Sequence, residues 1–208
     1  MGAMTDPASA QLGVTPTPAP AARLTDELLW DESARPQVEP LPGTTYDERG
    51  RAEGRHLIDV HDHLRGEIEQ LRELVGQVAA GQLGAGAARS AISTMTLRQN
   101  SWTLGTYCAT YCRVVTTHHT IEDVSMFPHL RRSDARLAPV IDRLEEEHHV
   151  IAEVLERVDA ALVAMVGHPE QDVAPVRHAV DLLTDVLLSH LAYEEQQLVE
   201  PLARLGFG

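Results

Sequence analysis

Cysteine is nearly absent from the 208 residues, with only Cys108 and Cys112; aromatics make up 4%, and basic side chains are outnumbered by acids, 17 to 31. Each shortage excludes something. The two cysteines lie four apart, where one regular helix gives poor disulfide geometry, so both read as reduced core residues of a cytoplasmic protein. A net charge of −14 removes the positive surface on which non-specific nucleic-acid binding draws. No apolar run approaches the roughly 18 residues of a membrane-spanning helix. The opening "MGAMTDPASAQ" has neither a basic start nor an apolar stretch, so no secretory signal is expected. No segment sustains alternation of period two, so strands are not expected either.

Proline and alanine crowd the first forty residues, as in "TPTPAPAA" (15–22), and such a tract builds no packed core. Residues 1–22 therefore read as a disordered arm. "LTDELLWDES" (24–33) reads as a short amphipathic helix of a turn or two, docking Leu28, Leu29 and Trp30 on the body; Pro36, Pro40 and Pro42 follow as an extended linker. The expected organisation is a flexible arm over 1–44 and one compact domain over 45–208.

Within that domain the apolar residues recur three and four apart, the period of a helix packed on one face. Thr45 and Glu48 read as a capping box opening a helix to about Ala80, with Leu57, His61, Leu64, Ile68 and Leu71 on its stripe. "AARSAISTM" (87–95) reads as a short extra helix. A second long helix, about Ser101 to Leu130, carries Tyr107, Tyr111, Val114, His118, Glu122 and Met126. A third, about Pro139 to Met165, carries Leu144, His148 and Ile151; a fourth, about Ala174 to Leu202, carries Leu187, His190, Glu194 and Leu198. Four such helices with short connections imply an all-α, antiparallel up-down four-helix bundle with an N-terminal extension. The two halves share a pattern: one helix with a histidine, then one with His-x-x-x-Glu.

Eleven histidines are present, and placement decides which matter. His61 and His148 each replace an apolar residue on their stripe, while His118 with Glu122 and His190 with Glu194 lie one turn apart on theirs. In a bundle these faces share an axis, so four imidazoles and two carboxylates converge. Burying ionised carboxylates without partners costs several kcal/mol each. The stripes offer no lysine or arginine at that height, Arg65 being placed at the flank. A metal cation is the natural partner. Imidazole and carboxylate together suit two ions, iron first, with manganese or zinc behind, each glutamate bridging and two histidines serving each ion. His119 with Asp123 and His149 with Glu153 are also spaced four apart, so a phase one residue later presents His119 or His149 in place of its neighbour. His63 points off its stripe, and His56, His129, His168 and His178 read as helix-end or surface residues.

"DVHDHLRGEI", "HHTIEDVSMFPHL", "EEEHHVIAEVLERV" and "LLSHLAYEEQQLVEPL" together spell H…HxxxE…H…HxxxE. In this the chain resembles the hemerythrin-like, or HHE cation-binding, domain family over about residues 50–205. The resemblance implies a four-helix bundle around a non-haem di-iron centre with an oxo or hydroxo bridge. It also implies the ligands His61, His118, Glu122, His148, His190 and Glu194. Oxygen-carrying hemerythrins are similar but have a fifth histidine one turn after the first on the third helix, where this chain has Ala152; their last acid comes five after its histidine, where this chain has Glu194 at four and Glu195 at five. The absent histidine implies an open coordination position, the mark of a reactive centre. Tyr107, Tyr111 and Tyr193 are either core packing or groups that hydrogen-bond a bound oxygen species. The expected function is binding and reacting with, or sensing, O2, peroxide or NO, with a redox partner and without nucleic acid or membrane. The competing reading is a non-enzymatic bundle that holds iron or binds a partner through its acidic surface.

Overall fold

The structure, a computed structural model, describes residues 12–80, 106–167 and 173–207. All regular structure among these residues is helical. The helices are α1 (Glu48–Ala79), α2 (Thr106–Ile121), α3 (Phe127–Ser133), α4 (Ala138–Gly167) and α5 (Ala174–Leu205). A π-helical turn, Glu122–Met126, joins α2 to α3 as one rod. Residues 87–95, expected as a short helix, lie outside the described set. No helix among the described residues is long and apolar enough to cross a membrane.

Two boundaries differ from expectation. Asp47, not Thr45, caps α1: its carboxylate accepts the N–H of Gly50 at 2.7 Å, satisfying a donor that the helix leaves unpaired. The second long helix, expected to end near Leu130, runs on through Pro128 to Ser133. Proline lacks the N–H that would bond four residues back and crowds that carbonyl. The chain instead widens just before it, with the Phe127 N–H bonded to the Glu122 carbonyl five residues back.

α1 and α4 both pack on α5, and α2 packs on α4. Along the α1–α5 seam, Gly50 faces Ala203, Gly54 faces Val199, His61 meets Glu194 and Glu195, and Arg72 meets Asp181. Gly50 and Gly54 permit this close approach. A Cβ at Gly50 would run into the Ala203 carbonyl, and one at Gly54 would sit 3.0 Å from the Val199 oxygen. The apolar core falls into two clusters, one containing Leu64, Ile68, Ile151 and Leu187, the other Leu57, Phe127, Leu144 and Leu198. On each helix the histidines fall where one cluster gives way to the other.

The expected flexible arm is, over its described part, an extended strap laid on α5. Leu12 and Val14 are buried. Leu29 and Trp30 pack on the core as expected, but Leu28 is 70% exposed, and the helical turn over residues 24–34 is the 3-10 turn Glu32–Ala34. The reason lies on α5, which carries the acceptors Asp185, Glu195 and Gln197. An extended strap has free backbone donors that need acceptors. Thr17, Leu24, Thr25 and Val38 donate their N–H groups to Glu195, Asp185, Asp185 again and Gln197 at 2.7–2.8 Å.

Candidate metal centre

Five imidazoles and two carboxylates meet at the level between the two apolar clusters. α1 supplies His61; α2 supplies His118 and His119; the π turn supplies Glu122; α4 supplies His148; and α5 supplies His190 and Glu194. His118 retains 11% side-chain exposure; the other six are buried. His119 stacks on His148 with centroids 3.9 Å apart, and His148 and His190 stand 4.9 Å apart. His61 meets His118 edge-on at 5.1 Å. The donor atoms form two groups, His61–His118–Glu122–Glu194 and His119–His148–His190, with the atoms of each group within 4.8 Å of one another.

The two glutamates span these groups. Glu122 Oε1 lies 3.1 Å from His118 Nε2, and its Oε2 lies 3.5 Å from His148 Nε2. Glu194 Oε2 lies 3.6 Å from His61 Nε2 and 3.5 Å from His190 Nε2. None of these approaches makes a hydrogen bond. The Nε2 atoms of all five histidines and all four oxygens of Glu122 and Glu194 are buried without a hydrogen-bond partner. Nine such atoms in one place are far outside the ordinary satisfaction of buried polar groups.

The outward nitrogens show the opposite. His61 Nδ1 is 2.9 Å from Glu195, His148 Nδ1 is 2.8 Å from Asp123, and His190 Nδ1 is 3.1 Å from Glu147. A carboxylate that accepts a hydrogen bond from Nδ1–H keeps the proton on that nitrogen and leaves Nε2 as a bare lone pair facing inward, the arrangement that orients a metal-binding imidazole. Burial alone would raise the Glu147 carboxyl, but its hydrogen bonds to His190 and Arg35 outweigh this and bring it down to about 2. Glu195 is likewise held below the carboxylate range, against its burial, by His61, the Thr17 N–H and Arg65.

Inside the centre the balance is reversed. Burial, then the neighbouring Glu194, push the Glu122 carboxyl well above its usual range. Burial and the surrounding imidazoles hold His118 and His119 well below theirs. The protein alone therefore favours neutral imidazoles at His118 and His119 and a protonated Glu122; an added cation favours the ionised form of Glu122. The donor set fits a pair of divalent or trivalent ions.

A cavity of about 450 Å³ reaches the centre from the α1–α2 side. His118 and Glu122 stand in its wall beside Val60, Val114, Ile121 and Met126.

The six residues named from the sequence lie at one level, and His119 joins them rather than replacing His118. Successive helical residues point about 100° apart, so the pair straddles the inward direction and each member enters a different donor group. His149 does not join; it is exposed, with Nδ1 2.7 Å from the Glu145 carbonyl. The position left open by Ala152, itself exposed, is thus matched by a fifth imidazole from α2. His63 is exposed and pairs with Glu67. Tyr193 faces the strap: its hydroxyl donates to the Pro36 carbonyl at 2.7 Å, so it is not directed at a bound oxygen species. The side chains of Tyr107, Tyr111, Cys108 and Cys112, and all of His168, lie outside the described set. Sequence reasoning missed Glu147 and the role of Asp123 and Glu195. The doubled histidine at 118–119, set against the missing one at 152, was the available signal for the fifth imidazole.

The family model for the hemerythrin HHE cation binding domain matches residues 54–202. The chain belongs to that family. Comparison with curated proteins and with solved structures finds no match.

Proposed function

We propose that this chain is an antiparallel up-down bundle holding two non-haem iron ions, and that it binds and reacts with or senses a small oxidant or diatomic ligand: O2, peroxide or NO. Support for the bundle direction comes from the α1–α5 seam, where rising numbers on one helix meet falling numbers on the other. The single observation that carries the metal reading is the convergence of nine unpartnered buried donor atoms. In this reading His61 and His118 hold one ion, His119, His148 and His190 hold the other, and Glu122 and Glu194 serve both. Such a centre, with an oxo or hydroxo bridge, supplies one-electron redox chemistry and Lewis acidity when bound.

The site on the His61–His118 side has fewer imidazoles, and the cavity opens on that side. Its wall is mainly apolar, with Glu53, His56 and Arg113 also lining it, which suits a small ligand with little charge to desolvate. The proposed partners are that small ligand and an electron donor, in a cytoplasmic setting; turnover as an oxidoreductase follows if the ligand is consumed. The test is to load the protein with ferrous iron without oxygen and then add O2, peroxide or NO in turn. An absorption band in the near ultraviolet, a spectroscopic change with NO, or oxygen release from peroxide above that of equal free iron is expected. Bound iron that responds to none of the three overturns the reactive reading in favour of a storage or structural site.

A further inference from the structure

The strap precedes residues 54–202 matched by the family, yet it touches the supports of both donor groups. Thr17 donates its N–H to Glu195 Oε2 at 2.7 Å, and Glu195 Oε1 holds His61 Nδ1 at 2.9 Å. On the other side, Arg35 lays Nε and Nη2 on the two oxygens of Glu147 at 2.8 and 2.9 Å and donates Nη1 to Ser189 Oγ at 3.0 Å. Its guanidinium carbon stands 4.7 Å from the Tyr193 ring centre and 5.5 Å from that of Trp30. Arg35 retains only 8% side-chain exposure.

We propose that Arg35 is a positioning residue of the metal centre, acting through Glu147 to fix His190. This rests on the metal reading above. A carboxylate held at one point is free to turn about its last torsion, whereas a two-pronged guanidinium contact fixes its plane. Arg143 also bonds Glu147, but only at Oε1, at 2.9 Å. The oxygen facing His190 Nδ1 is Oε2, and Arg35 holds it. Stacking against two aromatic rings leaves the guanidinium little freedom, so the plane of Glu147, and through it the direction of His190 Nε2, is set from the strap. The strap thereby couples a segment outside the family domain to the affinity of the centre.

The test uses the full chain, stripped of metal and titrated with Co(II), whose visible spectrum reports ligand geometry. Wild type is compared with Arg35→Met, Arg35→Lys and Asp185→Ala. Asp185 anchors the strap through Leu24 and Thr25 but touches no support of the centre. Arg35→Met is expected to weaken one of the two sites by about 10- to 100-fold, as for other groups that hold a ligand's support, and to shift that site's spectrum. Arg35→Lys restores the charge without the fork and falls between, which also covers the case in which Arg35→Met does not fold. Asp185→Ala lowers the melting temperature and leaves both affinities and spectra at wild-type values. Wild-type affinity and spectrum in both Arg35 variants, or an equal loss in Asp185→Ala, overturns the positioning role while leaving the metal reading intact. Failure of wild type itself to take up cobalt sinks the metal reading and this inference with it.

Discussion

Stripping the metal with a chelator is expected to lower the melting temperature by about 15 °C or more. An ion at a concentration a thousand times its dissociation constant stabilises by about 4 kcal/mol. For a chain of this size each kcal/mol moves the midpoint by roughly 2–4 °C, and there are two donor groups. The effect has a sign in pH. In the metal-free protein Glu122 is raised above 4.5 by burial and by Glu194, so its stabilising protonated form is complete below 4.5 and is lost as pH rises through the raised value. His118 and His119 are lowered below 6.5, so their neutral forms stabilise above 6.5 and that contribution is lost as pH falls through the lowered values. Metal binding needs the ionised Glu122. The gap in melting temperature between loaded and stripped protein, at fixed free metal, therefore widens as pH rises above 4.5. Scanning calorimetry at several pH values measures it; identical curves with and without chelator would contradict it.

Glu194→Ala is expected to abolish binding of both ions, and His119→Ala of only one. Glu194 lies within 3.6 Å of imidazole nitrogens from both groups, so its loss removes a donor from each and leaves Glu122 alone to offset two cations. His119 belongs only to the three-histidine group. Metal analysis of the purified variants is the check. His119→Ala with a full metal complement would make His119 a packing residue, and His119→Ala with none would mean that the two sites fill only together.

Much of this centre was legible before any coordinates. His61 between Leu57 and Leu64, and His148 between Leu144 and Ile151, interrupt apolar stripes, and helical periodicity alone turns them to the axis. The all-helical fold and the limits of α4 and α5 follow from the same periodicity. What periodicity does not carry is a change of pitch. The π turn at Glu122–Met126 comes just before Pro128, inside a stretch where an unbroken α-helix to about Leu130 was expected. His119 was read only as a replacement for His118, because a single stripe admits one phase, whereas two adjacent histidines can enter two donor groups. The strap was missed for a different reason. Its proline-rich composition has no core of its own, and its acceptors, Asp185, Glu195 and Gln197, lie some 160 residues away on α5. Separations of 112 and 43 residues likewise hid the Arg35–Glu147–His190 chain.

The most direct test is diffraction from crystals of iron-loaded protein at wavelengths on either side of the iron absorption edge. Two anomalous peaks are predicted, one beside the Nε2 atoms of His61 and His118, the other beside those of His119, His148 and His190, with Glu122 and Glu194 reaching both. Density with no anomalous signal there, and those imidazoles and carboxylates hydrogen-bonded only to one another or to solvent, would contradict the account.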